Sequence, residues 1–168
     1  MKVVVLSGGV GGARFVQGVV DVIEPSDVTV VGNVGDDLEV LGLHVSPDLD
    51  SILYALAGVN DEQRGWGRAD ETWRALETAR SLGGETWFQL GDLDLGLHLV
   101  RTQAMRAGER LSEVTRRVAR ALGIETQPDR ETLAAAEKNG TDAFDRLQTV
   151  FHQVLGKGLH QHVGARQQ

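Results

Sequence analysis

The chain of 168 residues contains no cysteine. That excludes a disulfide framework and any cysteine-ligated metal site. No apolar run approaches the roughly 18 residues that a membrane span requires. The short VVVL run near the start ends in glycine, where a signal peptide would continue apolar. Basic residues are outnumbered: Lys and Arg total 17 against 24 Asp and Glu, for a net charge of −7. Such a balance argues against wrapping a nucleic-acid backbone or lying on an anionic membrane. What is present is enough apolar material for a core, 41% hydrophobic against 24% charged, in a chain of single-domain size. The expectation is a soluble cytoplasmic protein that binds neither nucleic acid nor membrane.

Pattern along the chain gives an α/β reading. Residues 2–6 (KVVVL) are short, apolar and followed by glycine, which predicts a fully buried strand. Phe15, Val16, Val19, Val20 and Ile23 recur at helical spacing over 14–23, and Pro25 stops them. Residues 27–31 (DVTVV) predict a second strand, completing a βαβ unit and a parallel sheet. A short extended segment is expected over 38–45. Ser46-Pro47-Asp48 then reads as a helix start, with Ser as N-cap and Pro at the first position, and Gly58 as the stop. A helix over 70–82 is expected to stop at Gly83-Gly84. Residues 86–90 (TWFQL) predict a third strand, followed by a helix to about Ala107 and another over 112–122 opening at Ser112. The expected fold is a Rossmann-like parallel sheet with flanking helices, apparently truncated, with a domain at 1–124 and a helical tail at 125–168.

Two features of this frame carry chemistry. Gly8-Gly9-Val10-Gly11-Gly12 sits between a strand and a helix. Without Cβ atoms, such a turn lets a ligand approach the backbone and aims amides and the helix N-terminus at an anion. There is no GK[ST], so it is not a P-loop, and Arg14 stands where a dinucleotide fingerprint has its third glycine. A tight βα turn without a ligand is the plainer alternative. The second feature is a set of acids placed just beyond strands or at helix starts: Asp36, Asp37, Asp48, Asp50, Asp92 and Asp94. Loops beyond strand C-termini meet at one edge of an open α/β sheet, so these acids are expected near the glycines. Hard oxygen ligands beside phosphate point to Mg2+. Singly, each acid reads equally as a turn former or a helix-dipole partner. Asn33 is a ligand or an Asx turn, and His44 a structural histidine. His160-x-His162 has no third ligand in sight. Trp66, Trp73 and Trp87 suit either core packing or stacking on a flat ring.

Taken together, SGGVGGAR, VGNVGDD, HVSPDLDSILYALAG, RGWGRADETW, WFQLGDLDL and HLVRTQ resemble the 2-phospho-L-lactate transferase family, whose actinobacterial branch is described as phosphoenolpyruvate transferase. The resemblance covers residues 1 to about 123. It implies a transferase of coenzyme F420 biosynthesis. Its donor would be a guanosine diphosphate bearing lactate or enolpyruvate, and its acceptor a deazaflavin precursor attacking through a ribityl hydroxyl. It implies catalytic roles for Asp48 and Asp50, phosphate binding by Gly8, Gly9, Gly11, Gly12 and Asn33, and Mg2+ held by Asp36, Asp37 and Asp50. Position 93 is Leu where family members usually carry a basic residue. A non-catalytic nucleotide- or phosphate-binding half-fold, related to the uridine-diphosphate-sugar-binding family, is the alternative. In the tail, Phe144, Leu147, Val150, Phe151, Val154 and Leu155 recur at helical spacing. A stripe of that width calls for burial, on the open side of the sheet or in a homo-oligomer.

Overall fold

The computed structural model describes residues 1–124; the expected tail helix and its oligomer contact lie outside them. Among the described residues the fold is α/β, with a parallel sheet flanked by helices. Strand β1 (Val3–Ser7) leads into helix α1 (Gly9–Val22), and a single 3-10 turn at Pro25–Asp27 returns the chain to strand β2 (Val28–Gly32). The two strands pair in parallel, from Val3 opposite Val28 to Ser7 opposite Gly32. A crossover helix between parallel neighbours is what their shared direction demands.

Full burial of the first strand is not what the structure shows. Val5 and Ser7 are buried, while Val4 and Leu6 are 63% and 45% exposed. A strand sends alternate side chains to opposite faces, and only one face of this sheet is well covered by described residues. On the covered side α1 packs along α2 (Pro47–Ala57), and Ala13, Ile52 and Ala55 form a small core with Val30 and Leu56. The Gln17 amide donates to the Ala55 carbonyl at 2.7 Å and pins the two helices.

The extended segment expected at 38–45 is a hairpin. Strands β3 (Leu38–Val40) and β4 (Leu43–Val45) pair antiparallel. Leu41 and Gly42 turn the corner with φ of 52° and 72°. Two positive φ values match the twist of a two-residue hairpin, but only the glycine adopts one without steric cost. Helix α4 (Asp92–Arg106) lies against the hairpin: Thr102 Oγ1 accepts the His44 amide at 2.8 Å, and Arg106 donates to the Gly42 carbonyl at 2.8 Å.

Residues 86–90 do not form the expected third strand. Their burial alternates, with Phe88 and Leu90 turned inward and Trp87 and Gln89 outward, so the period-two signal was real. Leu90 and Phe88 pack on Val40, Val45 and Leu95. No described strand offers this segment a hydrogen-bond ladder, and without one an extended chain is not a strand. Helix α3 (Arg74–Ser81) starts later than expected, and Gly83, φ 84°, ends it as expected. Its opening is capped from across the chain. The Asp92 carboxylate accepts the Ala75 amide at 3.0 Å, and Glu71 in return accepts the Leu93 and Asp94 amides, each at 2.8 Å. Asp92, in the first turn of α4, thus serves the start of α3, and Glu71, just ahead of α3, serves the start of α4, satisfying amides that a helix start leaves unpaired. Helix α5 (Leu111–Ala121) follows α4; its cap is Arg110 rather than Ser112, with Glu113 accepting the Arg110 amide at 3.0 Å.

Candidate functional site

The glycine run is mostly helix. Only Gly8 is extended between β1 and α1, Gly9 takes φ 64°, and Gly11 and Gly12 lie in the first turn of α1. Gly12, Gly8 and Gly11 do different work. A Cβ on Gly12 would stand 2.6 Å from Ser7 Oγ, so this glycine lets α1 sit close on β1. A Cβ on Gly8 would come within 3.1 Å of Asp48 Oδ2 and 3.2 Å of the Asn33 Cβ. Among the described residues nothing lies within 4 Å of a Cβ built on Gly11, which faces open space.

At the N-terminus of α1 the structure brings Gly9, Asn33 and Asp48 together. The Gly9 amide donates to Asp48 Oδ1 at 2.7 Å, and the Asn33 side-chain amide donates to Asp48 Oδ2 at 2.6 Å. Asn33 is placed by its own backbone: its N–H donates to the Ser7 carbonyl at 2.8 Å, continuing the β1–β2 pairing by one residue. Its Oδ1 accepts the Gly35 amide at 3.0 Å, the Asx turn that was one of its two sequence readings. Asp36 touches this cluster at its margin, 3.4 Å from the Asn33 amide. The cluster stands at the C-terminal ends of two parallel strands, where ligands of open α/β sheets bind.

The other acids go elsewhere. Ser46 does not cap α2; it is fully buried, and its hydroxyl donates to Asp37 Oδ2 at 2.8 Å. His44 Nε2 lies 3.1 Å from the same oxygen. Among the described residues Asp37 Oδ1 is buried with no hydrogen-bond partner, and burial raises the carboxyl above the usual range. Asp50 is held on two oxygens by Arg101, which is fully buried; the Nη1 contact is 2.9 Å. Asp94 accepts the Tyr54 hydroxyl, and burial raises its pKa to about 6. His98 lies buried between the two, 3.8 Å from Asp50 and 3.7 Å from Asp94. Burial lowers its pKa to about 4, so at neutral pH the imidazole is uncharged. Asp92 caps α3. Among the described residues no three His, Cys, Asp or Glu side chains are grouped to hold a metal ion.

Arg101, Tyr54 and Glu71 have no place among the sequence candidates, although each is tied to one of the acids. Arg101 did leave a signal: it shares a helix face with Leu97, His98 and Ala104, all buried. A cation at such a position must find a carboxylate.

The family model for 2-phospho-L-lactate transferase CofD matches residues 3–130. The chain belongs to this family. A phosphoenolpyruvate transferase of Kitasatospora aureofaciens is 50% identical over 117 residues, covering 68% of this chain and 36% of the relative. One from Streptomyces coelicolor is 51% identical over 116 residues, with the same shares. A third, from Mycobacterium tuberculosis, is 44% identical over 172 residues, covering 90% of this chain and 51% of that protein. The chain therefore spans between about a third and a half of the length of these curated relatives. Among the described residues, no helix of this family member is long and apolar enough to cross a membrane.

Proposed function

We propose that the chain carries the phosphate-binding part of a coenzyme F420 transferase, moving a phospholactyl or phosphoenolpyruvyl group from a guanosine-diphospho donor to a deazaflavin hydroxyl in the cytoplasm. The observation that carries this reading is the meeting of Gly9, Asn33 and Asp48 at the N-terminus of α1. The remaining first-turn amides and the helix dipole favour an anion there. Gly11, open on its outer side, leaves room for phosphate oxygens. Asn33 orients Asp48 and offers a neutral donor beside the developing charge.

A phosphate at this end of α1 would meet the Asp48 carboxylate, and two anions at that spacing need a cation between them. The oxygen-only donors suit Mg2+, which uses one or two carboxylates together with substrate phosphates. Asp48 and Asp36, which both accept from the Asn33 side chain, are the carboxylates that would contribute to it, while Asp37 is turned to Ser46 and His44. Bound there, Mg2+ would spread charge on the transferred group. Asp50 takes a different part under this reading: paired with Arg101, it holds the first turn of α2, and hence Asp48, in position.

The test is direct. The full 168-residue chain is mixed with a guanosine-diphospho donor, Mg2+ and the deazaflavin, and the acceptor is followed by mass spectrometry. Gain of the donor's phospholactyl or phosphoenolpyruvyl unit with release of guanosine monophosphate supports the reading. Absence of both product and guanosine diphosphate binding overturns it.

A further inference from the structure

Helix α1 is apolar on both sides. Ala13 and Val16 are buried on the side that meets the sheet and α2. On the opposite side, one turn apart, stand Phe15, Gly18 and Val22, with Phe15 63% and Val22 81% exposed. A surface helix ordinarily turns its charged and polar side chains outward. Here the exposed charges Arg14 and Asp21, seven residues apart, lie together on one flank of that outer face.

Gly18 has no use within the described protein. It stands inside the helix, where glycine is the most costly residue short of proline. Gly12 is required by the closeness of Ser7, but among the described residues nothing lies within 4 Å of a Cβ built on Gly18. The result is a hole in an exposed apolar face, one turn from a phenylalanine ring that stands clear of the surface. The charges are equally unspent: among the described residues neither the Arg14 nor the Asp21 side chain makes a hydrogen bond or ion pair.

A second copy of the same helix supplies each of these partners. When two copies of α1 cross antiparallel about a two-fold axis, Phe15 of each can sit over Gly18 of the other, and the two contacts repeat by symmetry. The axis keeps each flank on its own side, so Arg14 of one copy runs beside Asp21 of the other, again twice. The face is thus complementary to itself in shape, ring into hole, and in charge. Val22 stands at the rim of the contact.

We infer that the outer face of α1 is a docking surface for a second copy of this chain, with Phe15 seated on the other copy's Gly18 and Arg14 paired with its Asp21. The inference goes beyond the transferase reading and does not depend on it. One helix a side buries less than the roughly 1,000 Å2 of a stable interface, so the pair is weak and forms as concentration rises.

Sedimentation equilibrium on the full chain over a range of concentrations tests it. The expected result is a monomer–dimer equilibrium. Phe15→Glu and Gly18→Leu should each raise the dissociation constant of the dimer tenfold or more. Gly18→Leu fills open space on a helix, so its melting temperature should hold or rise, which separates lost docking from lost folding. Arg14→Asp and Asp21→Arg should each weaken the dimer severalfold, and the double exchange should restore it close to the unaltered value. A chain that stays monomeric at every concentration overturns the inference. A dimer that Phe15→Glu and Gly18→Leu leave unchanged also overturns it, because the contact then uses another face. A dimer weakened by those two variants but not restored by the charge exchange overturns the antiparallel pairing.

Discussion

The Gly9 amide and the Asp48 carboxylate, 39 residues apart, meet at 2.7 Å. Helix α1 has no side-chain cap of its own, so an acid from the first turn of another helix fills its N-terminus. The same acid accepts the Asn33 side chain. Asp48→Ala removes both acceptors and should cost about 1–2 kcal/mol in urea denaturation. Asp48→Asn keeps one acceptor oxygen and should lose less, while weakening Mg2+-dependent guanosine diphosphate binding at least tenfold. Unchanged affinity in Asp48→Asn would leave Asp48 with the capping role alone.

Asp50 and Arg101 test a second division between structure and chemistry. Arg101→Met leaves a buried carboxylate without its cation and should destabilise by about 3–5 kcal/mol. Adding Asp50→Leu removes the stranded charge and should restore most of that loss. A double variant as unstable as Arg101→Met alone would show that packing, not the charge pair, holds α2 to α4.

His98 and Asp94 predict opposed pH slopes. The Asp94 pKa is raised from 3.8 to about 6, chiefly by burial. Between those values the folded chain holds a proton that the unfolded chain has lost, so stability falls as pH rises through the window. The His98 pKa is lowered from 6.5 to about 4, again chiefly by burial. There the unfolded chain holds the extra proton, and stability climbs as pH rises from 4 to 6.5. The two contributions, each of about 3 kcal/mol at full span, largely cancel. His98→Gln should expose a decline in stability from pH 4 to 6 that is steeper than in the unaltered chain. Asp94→Asn should expose a rise. Parallel pH curves for all three proteins in denaturant titrations would contradict this.

Gly11 and Gly12 should part company. Gly11→Ala meets open space and gains helix propensity, so thermal stability should hold or increase by up to about 1 kcal/mol. Gly12→Ala drives a methyl toward Ser7 Oγ at 2.6 Å and should lower the melting temperature. If the open side of Gly11 receives phosphate, Gly11→Val should abolish guanosine diphosphate binding with the circular dichroism spectrum near native.

Leu41 sits at φ 52° in the β3–β4 turn and is 46% exposed, so it gains little from its side chain there. Leu41→Asn should stabilise the fold by about 0.5–1 kcal/mol, because Asn tolerates the left-handed region better. An unchanged or lower denaturation midpoint would show that the leucine packs usefully in solution.

What the sequence determined by itself is what neighbouring residues decide. The β1–α1–β2 unit, the Pro47 opening and Gly58 closing of α2, and the stop at Gly83 all follow from short-range periodicity and from glycine and proline geometry. The approach of Asn33 and Asp48 to the glycines was legible for the same reason, since strand ends and helix starts of one βα layer share an edge. The fates of the other acids were not. Asp36, Asp37, Asp50, Asp92 and Asp94 carry the same carboxyl group in similar loop or helix-start settings. Their roles turn on partners such as Arg101, which lies 51 residues from Asp50, and Thr72, which lies 20 residues from Asp92. Segment 86–90 likewise alternated as a strand should, but a ladder needs a second chain segment alongside. Local sequence sets backbone preference and the face a side chain takes. Which charge meets which, and which extended segment finds a partner, depends on packing between distant elements, and only the tertiary structure decides it.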